Sequence, residues 1–127
     1  MKIHVVAVLC ALHLVSCSRA ATPIVSPSGD YFAETEISGP EAGPTRQGCV
    51  KLVITNSKTK DKFALQTGAS NFQKWAIGWS PKNVLILYSS DIGTYAYHIS
   101  GSTITERSPT KDELKIGTEA YDSKYRN

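Results

Sequence analysis

Residues 75–107 read WAIGWSPKNVLILYSSDIGTYAYHISGSTITER. Trp75, Ile77 and Trp79 share one side of an extended chain, with Lys74 and Ala76 on the other. That is the period of a half-buried strand. Ser80-Pro81-Lys82-Asn83 is a turn. Val84 to Tyr88 is an unbroken apolar run, as expected of a strand covered on both faces. Asp91-Ile92-Gly93 turns into Thr94–Ile99, and Gly101-Ser102 turns into Thr103–Glu106.

The same grammar extends toward the N-terminus. In Tyr31–Ile37, Phe32, Glu34 and Glu36 alternate with Tyr31, Ala33, Thr35 and Ile37. In Cys49–Thr55, Val50, Leu52 and Ile54 face one way. A polar turn at 56–61 leads into the strand Lys62–Thr67. Residues 38–48, SGPEAGPTRQG, lack periodicity and form a long loop of the kind often used in function. The chain ends differently. Ser108-Pro109-Thr110, with Glu113 three residues after Thr110, is a capping-box signature. Leu114, Tyr121 and Tyr125 then fall at helical spacing, while Gly117 costs such a helix about 1 kcal/mol. The fold class that follows is mainly β: a single antiparallel meander sheet or small barrel of about seven strands, with a short helix from about residue 110.

Composition bounds the class. The chain has 127 residues, 41% hydrophobic and 20% charged, with a net charge of +3. It is neither a disordered tail nor a multi-span membrane protein. The charge is too small to predict a nucleic-acid partner. Three cysteines exclude a disulfide-dense scaffold.

The N-terminus carries an address. Lys2 precedes the apolar run Val5–Val15, VVAVLCALHLV, broken only by His13. This is the length of a signal-peptide core and short of the ~20 residues that span a bilayer. The run ends in Leu14-Val15-Ser16-Cys17, which resembles a bacterial lipobox. The resemblance implies cleavage before Cys17 and a diacylglyceryl group on its sulfur. Because Ser18 and not Asp follows, it also implies, by the enteric rule, export to the outer membrane, facing the periplasm. An ordinary secretory signal cleaved after Ser18-Arg19-Ala20 is the alternative, giving a secreted or periplasmic soluble protein. The domains expected are a signal peptide at 1–16, a lipidated Cys17 and tether at 17–28, and a β-domain at 29–127.

Two stretches, Pro27–Ala33 (PSGDYFA) and Trp79–Leu87 (WSPKNVLIL), resemble the opening of propeller blades of the WD and Tol type. The second continues into Tyr95–Ile99 (YAYHI), where such a blade has its next strand. Lys82-Asn83 stands where the blade pattern has Asp-Gly. A propeller takes at least about four blades, and this chain has room for two, so shared meander chemistry accounts for the likeness.

Candidate chemistry is sparse. Cys49 and His98 form a nucleophile and base only if the fold joins them, and no orienting Asn or Asp stands out. Cys49 heads an apolar strand and is expected to be an inert buried thiol. Glu34 and Glu36 share a strand face, expected in water. No phosphate loop, G-x-S-x-G or H-E-x-x-H occurs. No catalytic residue, metal or cofactor is therefore expected. Candidate partner-binding residues are the aromatics Trp75, Trp79, Tyr95 and Tyr97 and the basic Lys58 and Lys60. The expected function is a non-catalytic lipoprotein, held to the membrane by lipid on Cys17, that binds a protein or glycan in the cell envelope. A structural or assembly role is the alternative, and a small hydrolase the remoter one.

Overall fold

The structure is a computed structural model and describes residues 22–38 and 48–126. The expected signal peptide, Cys17 and most of the 38–48 loop lie outside the described residues.

The chain forms two four-stranded antiparallel meanders followed by one helix. The first sheet holds β1 (Ile24–Val25), β2 (Tyr31–Ser38), β3 (Cys49–Asn56) and β4 (Lys62–Ser70), paired in sequence order. The second holds β5 (Trp75–Trp79), β6 (Val84–Ser89), β7 (Gly93–Ser100) and β8 (Thr103–Arg107), likewise in order. The helix α1 spans Lys111–Tyr125. The mainly β, antiparallel class with a C-terminal helix is observed. Among the described residues the strands divide into two open sheets, and no barrel closes.

The division follows from the alternating faces. Tyr31, Ala33, Val50, Leu52 and Ile54 of the first sheet bury against Leu85, Leu87, Tyr97 and Ile99 of the second. Trp75, Ile77 and Trp79 line the same layer. The other face of β6, Val84 and Ile86, packs with Ala96 and the helix residue Ile116. The unbroken apolar run of β6 is therefore covered by a sheet on one side and a helix on the other. All four of Val84 to Leu87 are buried.

Eight strands are present among the described residues. The extra one, β1, lies inside the 17–28 segment expected to be a tether. Its two residues pair with Ala33 and Phe32, and the Trp79 indole N–H donates to the Ile24 carbonyl at 3.1 Å. Two residues between Pro23 and Pro27 carry no periodicity, so only contacts distant in sequence reveal the strand.

Two turns link the sheets at one end. Ser26 and Ser80 are both buried. Their N–H groups donate to the Tyr31 and Val84 carbonyls at 2.8 Å each. Ser28 Oγ donates to Asn83 Oδ1 at 2.7 Å, and Asn83 adopts a positive φ of 57°. At the opposite end the Asp91 carboxylate accepts from the Ser70 N–H at 3.0 Å and from the Ser89 hydroxyl. These bonds, the Ser89 hydroxyl first, hold Asp91 below the usual carboxylate range.

The helix begins where its capping box places it. Thr110 Oγ1 accepts from the Glu113 N–H, and Glu113 Oε2 accepts from the Thr110 N–H. Arg107 grips the same carboxylate with two bonds of 2.8 and 2.7 Å. The face turned to the sheet differs from the expected one. Tyr121 contacts Tyr88 at 4.8 Å and Tyr125 at 5.0 Å, centroid to centroid, whereas Leu114 is 45% exposed. The packed face runs instead through Ile116, Gly117 and Ala120. It does so because the sheet comes very close: a Cβ on Gly117 would stand 3.3 Å from Ile86 Cγ2 and 3.4 Å from Thr94 Cγ2. Gly117, unfavourable to an isolated helix, is the residue that lets this one sit down.

Two predictions follow from the helix. Gly117→Val should destabilise the fold by about 1–3 kcal/mol through overpacking, read as a lower urea midpoint with unchanged slope. The Arg107 bonds come first among the causes that hold Glu113 below its ordinary range. The stability they carry is present above the unfolded carboxylate range and is lost as pH falls through the lower folded value, below about pH 4. Thermal unfolding followed by circular dichroism should lose stability on acidification more steeply for the wild type than for Glu113→Gln.

Candidate functional site

The two open sides of the sandwich differ. On one side α1 closes over β5. Tyr125 Oη accepts from the Trp75 N–H at 3.2 Å and donates to the Trp75 carbonyl at 2.9 Å. Lys124 Nζ donates to the same carbonyl at 2.9 Å and sits 3.3 Å from the Trp75 ring centroid. A shallow hollow remains there, bounded by Ile24, Glu34, Trp75 and Lys124.

The opposite side holds a cleft of about 230 Å³ between β4 and the β7–β8 pair. Leu65 and Thr67 form one wall, Tyr95, Tyr97 and Ile104 the other, and Ile92 the end. Gln66 and Glu106 also line it, the Gln66 amide oxygen accepting from the Ser38 hydroxyl. Strand alternation builds it. Tyr95 and Tyr97 are two residues apart on β7, so both rings point inward, with centroids 6.4 Å apart and planes 13° from parallel. Glu106 stands directly opposite Tyr97 across the β7–β8 ladder. Among the described residues Glu106 forms no ion pair.

Tyr97 is 4% exposed. Its phenol is pushed up to about 12, first by burial, then by the charge of Glu106 and by Tyr95. It is therefore a neutral donor throughout the physiological range. Tyr95 is half-buried and lines both this cleft and a neighbouring hollow beside Arg107 and Pro109. The cleft thus offers two stacked aromatic rings, aliphatic walls, one un-ionised phenol and one carboxylate. Such a lining binds the apolar side of a ligand and orients it with a few polar groups.

The sequence-predicted residues are dispersed. Tyr95 and Tyr97 meet in the cleft. Trp79 packs inward, stacked on Tyr31 at 6.4 Å with its N–H engaged by Ile24, so its indole holds the sheets together. Trp75 lies across the sandwich under Lys124. Lys58 and Lys60 are exposed in the β3–β4 turn and do not line the cleft. Cys49 stands on β3 and His98 on β7, in different sheets. Cys49 is half-buried between Ser38 and Ser70, and His98 is exposed. Glu36 pairs with Lys51 at 2.9 Å on the first sheet's outer face. Among the described residues no three His, Cys, Asp or Glu side chains converge. Leu65, Thr67, Ile92, Ile104 and Glu106 were not predicted. Their alternation placed some of them on an inner face, but nothing local marks which inner positions stay uncovered.

The raised phenol makes a test. Ultraviolet titration of the folded protein should show a tyrosine ionising near pH 12, and Tyr97→Phe should remove that late phase. The same proton contributes stability below pH 10 that is lost between about pH 10 and 12.

Comparison with family models, curated proteins and solved structures finds no significant match to this chain.

Proposed function

We propose that this chain is an exported lipoprotein, anchored through lipid on Cys17, whose non-catalytic β-domain binds a macromolecular partner in the cell envelope. Inhibitor or immunity lipoproteins are one such type. The anchor rests on Leu14-Val15-Ser16-Cys17 after an apolar run of signal length. The observation that best supports binding is the aromatic cleft between β4 and the β7–β8 pair, lined also by Glu106, which forms no ion pair among the described residues. A hydrolase is disfavoured because Cys49 and His98 belong to different sheets and Glu36 is engaged by Lys51.

Anchor and site are tested separately. Native protein should partition with membranes and carry a diacyl-sized mass increment, and Cys17→Ala should abolish both. A soluble product beginning after Ala20, indifferent to the substitution, would overturn the anchor. A photo-crosslinking residue at Tyr95 should trap an envelope macromolecule in intact cells, whereas the same residue at the exposed Lys58 should not. No adduct at position 95, or equal adducts at both, would overturn the assignment of the site.

A further inference from the structure

We infer that the surface built by Phe72, Lys74, Trp75, Lys124 and Tyr125 is the membrane-facing end of the domain, laid against anionic phospholipid head groups. The inference rests on the anchor proposed above.

The tether decides which face lies near the bilayer. Thr22 lines the same hollow as Trp75 and Lys124. Four residues separate it from Cys17, and five Cα-to-Cα steps span at most about 18 Å. A lipid on Cys17 therefore holds the bilayer within that reach of the Trp75 face, whatever path the tether takes. A protein partner is under no such confinement.

The near face has the chemistry of a membrane interface. Phe72 is 63% exposed, the most exposed large hydrophobic side chain among the described residues. Two positions on, Lys74 Nζ stands 5.6 Å from the Tyr125 ring centroid. Lys124 Nζ stands 5.2 Å from the same ring, besides its place over Trp75. Tyr125 is itself exposed. Tryptophan and tyrosine favour the head-group layer, where one side of the ring is apolar and the other wet. Lysines there meet lipid phosphates, and a protruding phenylalanine enters the acyl boundary.

The charge on this face is available. Neither Lys74 nor Lys124 forms an ion pair among the described residues. The acids nearby are mostly engaged: Asp122 pairs with Arg126 at 3.0 Å, and Asp91 accepts from Ser70 and Ser89. Glu34 is the acidic residue lining the hollow, and it stands on β2. The division of labour is then simple. The lipid supplies the hold, and this surface supplies the orientation.

The test is co-sedimentation of the exported chain, carrying Cys17→Ser, with vesicles of phosphatidylglycerol or of phosphatidylcholine. Ionic strength is set at about 0.1 M, where exposed charges more than about 10 Å away are screened. Partition onto phosphatidylglycerol should be stronger by about tenfold, and added salt should reduce it. Phe72→Ser with Lys74→Glu should weaken it by about tenfold. Lys58→Gln with Lys60→Gln should change it by less than about twofold, because that turn lies beyond the other end of β2, where the Ser57 N–H donates to the Asp30 carbonyl. Circular dichroism checks that both variants remain folded. No preference for phosphatidylglycerol, or equal losses in the two double variants, would overturn the inference. Because this protein lacks the lipid site, failure here is distinct from failure of the anchor, which is read from the mass of the native chain.

Discussion

A strand that is apolar on both faces cannot lie at a surface, and β6 imposes that constraint on everything around it. Leu85 and Leu87 require a second sheet, and Val84 and Ile86 require a further layer behind. The chain supplies the first from residues before β6 and the second from residues after it. Burying an aliphatic side chain of this size contributes about 1.5–3 kcal/mol relative to leaving it in water. The four together therefore outweigh any single polar contact in the molecule. Small residues on both partners make the helix contact, since Gly78 of β5 and Gly117 of α1 allow a separation that a methyl group would contest.

With the apolar layers set, polar groups fix their alignment. Bonds at one end join Ser28 to Asn83, and the Gly101 N–H to the Tyr31 hydroxyl at 2.8 Å. At the other end Asp91 joins the second sheet to the end of β4. In two of these latches a backbone N–H, that of Gly101 and that of Ser70, donates to a side-chain oxygen. Among the described residues no such latch spans the long side between β4 and β8. The cleft is the consequence: two sheets fastened at their ends and closed by a helix on one side remain open on the other.

The cleft takes its walls from β4 on one side and from β7 and β8 on the other. Aromatic content alone does not locate it. Trp79, the strongest anchor by residue type, has its indole N–H consumed by Ile24 and its ring by Tyr31. Tyr95 and Tyr97, which have the same alternation, face Leu65 and Thr67 of β4 across the cleft.

The strand positions from Tyr31 onward, the inward face of each and the capped start of the helix are all legible in the amino-acid order. These are local matters: period-two alternation, turn chemistry and the Thr110–Glu113 box are all legible within a few residues. The covering of β6 on both faces was legible too, because five apolar residues in succession leave no face for water. The break of the meander into two sheets between β4 and β5 emerges only in three dimensions, since the Asn71–Lys74 link has no local signal distinguishing a hairpin from a crossing. The same holds for β1, whose two residues become a strand through a tryptophan fifty-five positions away. It holds for the helix face as well, where close approach to Ile86 favoured Gly117 over Leu114. Exposure is a property of what lies across a gap, and a pattern of alternation contains no information about distance.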